Sequence, residues 1–194
     1  MIKNIIFDVG GVFIKGNSEE FFKKVSKRGL SLRKGCENIK WDDVMTGKES
    51  LPDFFRRIFN QPIDDNEMEK IIDIWVKNWK IDAEMIRFAK KLRKKYSLYI
   101  LSNADSEGFK RSKNAPKLDF FDKKFISFEI GLAKPDIRIY QHVLKEIGAK
   151  PEECVFIDDK DENVEAAKKI GIHGIVFSNK ENLINDLEKI GVKI

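Results

Sequence analysis

The chain of 194 residues is short of several things: it has two cysteines, five prolines, no repeat, no low-complexity tract and no long apolar run. Nothing approaches the ~20 consecutive apolar residues that a membrane helix requires. Asp8 also breaks the one apolar stretch near the N-terminus, which argues against a secretory leader. A soluble, cytoplasmic protein with no membrane partner is expected. Cys36 and Cys154 are too few for a disulfide framework, and Cys154 lies within CVFID, where a small buried thiol fits best, so both are read as free. The scarcity of Pro/Gly/Ser linkers leaves one ordinary core with a modest insertion rather than two large domains.

Charge is plentiful: 36% of residues are charged against 42% hydrophobic, with a net charge of +5. The densest basic run, KKLRKKY at 90–96, could mark a nucleic-acid surface. However, Met85, Phe88, Ala89, Leu92 and Tyr96 recur at helical spacing, so the lysines and arginines fall on the solvent side of one amphipathic helix. No nucleic-acid partner is expected, and the positive balance suits an anionic small-molecule substrate.

Periodicity divides the chain into two regimes. KNIIFD at 3–8, SLYILS at 97–102, KKFISF at 123–128, CVFID at 154–158 and GIHGIVFS at 171–178 read as strands. Helices are predicted near 82–95, 105–113, 136–148, 161–170 and 180–190. That alternation predicts an α/β fold, a parallel sheet with helices on both faces. Between the first strand and residue 82 the pattern is helical throughout, with Leu51, Phe54, Phe55, Ile58 and Phe59 and then Met68, Ile71, Ile72, Trp75, Val76 and Trp79 at i, i+3, i+4, i+7 spacing. Residues 16–80 therefore form a helical cap inserted after the first strand, and 1–15 with 81–194 form the core.

In a parallel sheet, ligands bind beyond the carboxyl ends of the strands. There the chain delivers Asp8, then Ser102–Asn103, then Lys134 in GLAKPD, then Asp158–Asp159 in FIDDKDEN. Each alone has an ordinary explanation as a turn, a cap or a solvated charge. In this order, each at a strand end, they suggest one site. Carboxylates converging there would repel one another unless a divalent cation neutralised them, and oxygen donors select a hard ion such as Mg²⁺. His142 and His173 read as packing or surface residues.

FDVGG, LSN, Lys134 followed by Pro135, and IDDKDEN together resemble the four motifs of the haloacid-dehalogenase-like superfamily, dominated by Mg²⁺-dependent aspartyl-phosphate phosphatases. The resemblance runs from residue 3 to about 178, and FDVGGV, KPDIRIYQHVL and DDKDENVEAAKKIG look most like the branch containing bacterial α-D-glucose-1-phosphate phosphatase. It implies a Rossmann-like core and a phosphatase acting on small phosphorylated metabolites, sugar phosphates among them. By the same resemblance Asp8 is the nucleophile, and Mg²⁺ touches Asp8, the carbonyl of Gly10 and Asp159, with Asp158 near the ion directly or through water. Ser102 and the amide of Asn103 hold phosphoryl oxygens, Lys134 neutralises Asp8 and the phosphate, and the Gly10–Gly11 turn brings backbone groups close to metal and phosphate.

One position departs from the family pattern. The familiar phosphatase has a second aspartate two residues after the nucleophile, and here that residue is Gly10. The namesake dehalogenases also lack it, although they have an aromatic residue and Gly–Thr where this chain reads Gly10–Gly11–Val12. A non-catalytic binding protein on the same scaffold is the other alternative. Substrate choice is expected on the cap face, near Trp41 and Asp42.

Overall fold

A computed structural model describes residues 1–194 apart from 17, 37, 38, 113 and 114. The five expected strands all form: β1 (Asn4–Phe7), β4 (Ser97–Ser102), β5 (Lys123–Ile126), β6 (Cys154–Asp158) and β7 (His173–Val176). They make one parallel sheet in the order β5-β4-β1-β6-β7. Parallel pairing demands crossovers, which are the helices α5 (Ala83–Leu92), α6 (Ser106–Arg111), α8 (Ile137–Ile147) and α9 (Asp161–Lys168), with α10 (Lys180–Lys189) closing the chain. The expected end of the 105–113 helix, residue 113, lies outside the described residues.

Strand alternation sorts the core into two layers. Ile5 and Phe7 pack with Met85, Phe88, Leu92, Leu183 and Leu187 from α5 and α10 on one face. Ile6 and Phe156 pack with Tyr140, Val143 and Ala167 from α8 and α9 on the other. Met85, Phe88, Ala89 and Leu92 are buried while Lys90, Lys91, Arg93, Lys94 and Lys95 are exposed, so the basic run faces solvent as its spacing predicts. Cys36 and Cys154 are both free.

A third apolar cluster belongs to the helices α1 (Ser18–Ser26), α2 (Asp42–Met45), α3 (Leu51–Ile58) and α4 (Asp65–Lys77). Phe21, Phe54, Phe55, Ile71 and Trp75 are buried in it, and Ser50 and Asp64 cap α3 and α4 by accepting the Asp53 and Glu67 amides. Two strands too short for any periodicity flank these helices: β2 (Ile14–Lys15) pairs antiparallel with β3 (Lys80–Ile81). The helices meet the sheet layer at its carboxyl end. Trp75 Nε1 in α4 donates to the buried Asp105 Oδ2 at 2.9 Å, just before α6. A Cβ on Gly108 would lie 3.0 Å from that indole nitrogen, so glycine makes room for the contact. Arg111 adds a fork to Glu69 at 2.6 and 3.1 Å across the same α4–α6 seam.

KKFISF departs from expectation: the strand stops at Ile126, and Ser127 opens a short helix, α7 (Ser127–Ile130). The buried Ser127 hydroxyl accepts the Ala104 amide at 3.0 Å, a bond that turns the chain back over β4.

Candidate active site

The register explains why residues distant in sequence converge. Phe7 pairs with Ile157 across the β1–β6 ladder, and the Asp8 amide donates to the Ile157 carbonyl at 2.8 Å. Asp8 and Asp158 thus leave neighbouring strands side by side. The chain runs from β1 to β4 and β5 on one side, then returns to β6 and β7 on the other, so this is the point where the direction of winding reverses.

Lys134 Nζ sits between the two carboxylates, 2.8 Å from Asp8 Oδ1 and 2.6 Å from Asp158 Oδ2. All three side chains are nearly inaccessible, at 1% for Lys134, 10% for Asp8 and 0% for Asp158. Burial, reinforced by the Asp158 charge and opposed by Lys134, pushes the Asp8 carboxyl up to about 6. Burial works against the Lys134 ammonium, but attraction to Asp8 and Asp158 outweighs it and holds its pKa above the ordinary value. Lys134 stays charged.

Asp158 is fully engaged by the protein. Its Oδ1 accepts the Lys160 amide at 2.8 Å and Asn163 Nδ2 at 3.0 Å, while Oδ2 accepts Lys134 Nζ at 2.6 Å and Asn163 Nδ2 at 3.0 Å. Asn163 is itself buried, and its carbonyl accepts the Tyr140 hydroxyl at 2.8 Å. Asp159 is the exposed member of the pair, with a carboxyl pushed up by partial burial and by the Asp158 charge.

The adjacent glycines differ in what they do. Gly11 has φ of +70°, and a Cβ there would fall 2.2 Å from Asp159 Oδ2, so only glycine permits this turn against that side chain. Gly10 has no such restriction, since a Cβ there would meet only Asp8 Oδ2, at 3.9 Å. Ser102, buried at the end of β4, is followed by Asn103, whose side chain bonds to the main chain of Lys134.

The structure therefore brings Asp8, Lys134, Asp158 and Asp159 together and sets Ser102 and Asn103 at the end of the neighbouring strand. Oxygens of Asp8, Asp158 and Asp159 all lie within 4.8 Å of one another. Three carboxylates face one ammonium, the donors are hard oxygens, and burial raises two of the carboxyls; this set fits a divalent cation such as Mg²⁺. Trp41 stacks at 15° on Trp75 and also contacts Phe54, while Asp42 is exposed. His142 packs edge-on against Phe125 and His173 is exposed.

Sequence reading missed the roles of Asn163 and Asp105. Asn163 lies five residues after Asp158 in the first turns of α9, a placement with many ordinary explanations. Asp105 carries only the signature of a helix cap, its Oδ1 accepting the Gly108 amide.

An aspartate just beyond the central strand of a parallel sheet, paired with a buried lysine and faced by further aspartates, makes an acidic site at the carboxyl end of the sheet, suited to hydrolytic chemistry built around a carboxylate. Comparison with known proteins is consistent with this: the haloacid dehalogenase-like hydrolase family model matches residues 2–171, and the chain belongs to that family. D-ribitol-5-phosphate phosphatase of Bacteroides thetaiotaomicron is 28% identical over 185 residues, covering 88% of this chain and 89% of that protein. A sesquiterpene phosphatase of Aspergillus oryzae is 30% identical over 176 residues, covering 89% and 88%. The crystal structure of a family enzyme from B. thetaiotaomicron, in complex with magnesium and inorganic phosphate, superposes with a TM-score of 0.76 at 26% identity, over 94% of this chain and 99% of that one. The likeness to the glucose-1-phosphate branch rests on the motifs alone. No helix among the described residues is long and apolar enough to cross a membrane.

Proposed function

We propose that the protein is a Mg²⁺-dependent phosphatase of small phosphorylated metabolites that works through an aspartyl-phosphate on Asp8. The observation that carries this is the Asp8–Lys134–Asp158 arrangement, with Lys134 Nζ 2.8 Å from Asp8 Oδ1. Residues 16–80 act as the cap, and 1–15 with 81–194 as the catalytic core. The named phosphatases among the relatives support the reaction class.

Phosphoryl transfer needs positioning and charge neutralisation more than covalent assistance. Asp8 attacks phosphorus, the ester P–O bond breaks, and water then attacks the phosphorus of the acyl phosphate, releasing phosphate and restoring Asp8. Lys134 offsets the repulsion between the Asp8 carboxylate and the phosphate. Ser102 and the Asn103 amide hold phosphoryl oxygens at the end of β4. Asp8, the Gly10 carbonyl and Asp159 would hold Mg²⁺, with Asp158 beside them as the carboxylate that fixes Lys134. When bound, the ion supplies neutralisation of the carboxylates and polarisation of phosphoryl oxygens.

Gly10 offers no acid to the departing oxygen, so the leaving group takes its proton from water. Substrates with acidic leaving groups, anomeric sugar phosphates among them, are therefore favoured. Because a Cβ at Gly10 would make no contact closer than the 3.9 Å to Asp8 Oδ2, Gly10→Asp is a fair test. We expect it to raise turnover of alkyl phosphates by about 10-fold or more, towards the ~10²–10⁴-fold typical of general acids, with a smaller gain on p-nitrophenyl phosphate. A uniform gain, or none, would show that Gly10 is not the empty acid position.

The reading as a whole is tested by a panel of phosphorylated metabolites assayed with Mg²⁺, after chelation and after Mg²⁺ is restored. Turnover should vanish with the chelator and return with the metal. Metal-independent halide release from 2-haloacids would identify a dehalogenase instead, and silence across the panel would identify a binding protein.

A further inference from the structure

We propose that the side chain of Asn103 is a positioning residue that aims Lys134 at Asp8. This rests on the role given to Lys134 above and adds a residue whose side chain acts through that lysine. The sheet order creates the need. Lys134 lies in the loop beyond β5 and α7, whereas its targets stand on β1 and β6, and β4 lies between β5 and β1. The loop must cross the carboxyl end of β4 to deliver its ammonium, and Asn103 is the residue at that crossing.

Its amide grips Lys134 at two points. Asn103 Nδ2 donates to the Lys134 carbonyl at 2.8 Å, and Asn103 Oδ1 accepts the Lys134 amide at 2.9 Å. A planar side chain that satisfies both main-chain groups of one residue fixes the place and the orientation of its Cα, as a strand neighbour would. A lysine stem has many rotamers, so its ammonium is located no better than the Cα that carries it. With the main chain clipped by Asn103 and Nζ fixed by Asp8 and Asp158, Lys134 is held at both ends. Ser127 secures the same crossing one residue on, its hydroxyl accepting the Ala104 amide at 3.0 Å.

The experiment compares the parent with Asn103→Ala, and with Asn103→Ser should the alanine variant fail to fold. On p-nitrophenyl phosphate with Mg²⁺, kcat should fall about 10–100-fold with KM within about threefold, the pattern of a displaced catalytic group. The second readout needs no turnover: lysines are acylated in the folded protein and quantified by peptide mass spectrometry. Lys134 should be protected in the parent, and its labelling rate should rise on the order of tenfold in the variant while other lysines and Tm hold steady. A Lys134 labelling rate equal to the parent's, or a rise shared by all lysines, would overturn the assignment. If the parent itself shows no phosphatase activity, the functional reading fails while the labelling comparison still decides what Asn103 does.

Discussion

Asp8→Asn should lower turnover of p-nitrophenyl phosphate by at least ~10⁴-fold, as expected when a covalent nucleophile is removed, and should stabilise the metal-free protein above neutral pH. The second half follows from burial. Folding raises the Asp8 carboxyl from 3.8 to about 6, so between those values the folded chain keeps a proton that the unfolded chain has released. The stability linked to that proton is present below the lower value and is lost as pH rises through the upper one. An amide undergoes no such loss. Urea titrations of both proteins with metal chelated should agree near pH 4 and diverge by up to about 3 kcal/mol, in favour of the variant, near pH 8. Retained turnover would remove Asp8 as nucleophile; parallel stability curves would mean that the folded site does not penalise its charge.

Lys134→Met acts in the opposite sense on the same pair. It keeps most of the stem and removes the charge, leaving the buried Asp8 and Asp158 without their shared partner. Breaking a buried pair from one side typically costs about 3–5 kcal/mol, because the remaining charge stays desolvated. The methionine variant should lose stability on that scale near neutral pH, and the deficit should narrow as acid protonates Asp8. Turnover should fall by about 10²–10³-fold, the usual loss for a group that stabilises transition-state charge. Denaturation midpoints unchanged at neutral pH would show that Lys134 is not what makes these carboxylates tolerable in the core.

Much of this was legible in the sequence where local chemistry and fold agree. SLYILS and CVFID match β4 and β6 residue for residue because a buried parallel strand is a short, unbroken apolar run bounded by polar residues, a pattern that amphipathic helices do not produce. The convergence of Asp8, Lys134, Asp158 and Asp159 was legible because each lies at or beyond the carboxyl end of a strand. The end of KKFISF was not: Ser127 leaves the strand through a side-chain bond to Ala104, distant in the chain. β2 and β3 were hidden by length, since two residues cannot show a period. The Asn103 clip on Lys134 and the Trp75–Asp105 contact join residues about thirty apart through side chains, and neither leaves a local signature. Asp158 shows the limit within a motif: sequence marks the paired aspartates, but only the donors around each one separate the anchored residue from the exposed one.

The β2–β3 pair carries a mechanical consequence. The chain leaves the sheet layer and returns to it through a single ribbon, Ile14 opposite Ile81 and Lys15 opposite Lys80, braced by the Lys15–Asp82 ion pair at 2.8 Å. The helical segment is thus tied to the sheet layer in two places, the ribbon at Ile14–Ile81 and the contact of Trp75 with Asp105, so weakening either one leaves the other to hold the helices over the carboxyl end of the sheet.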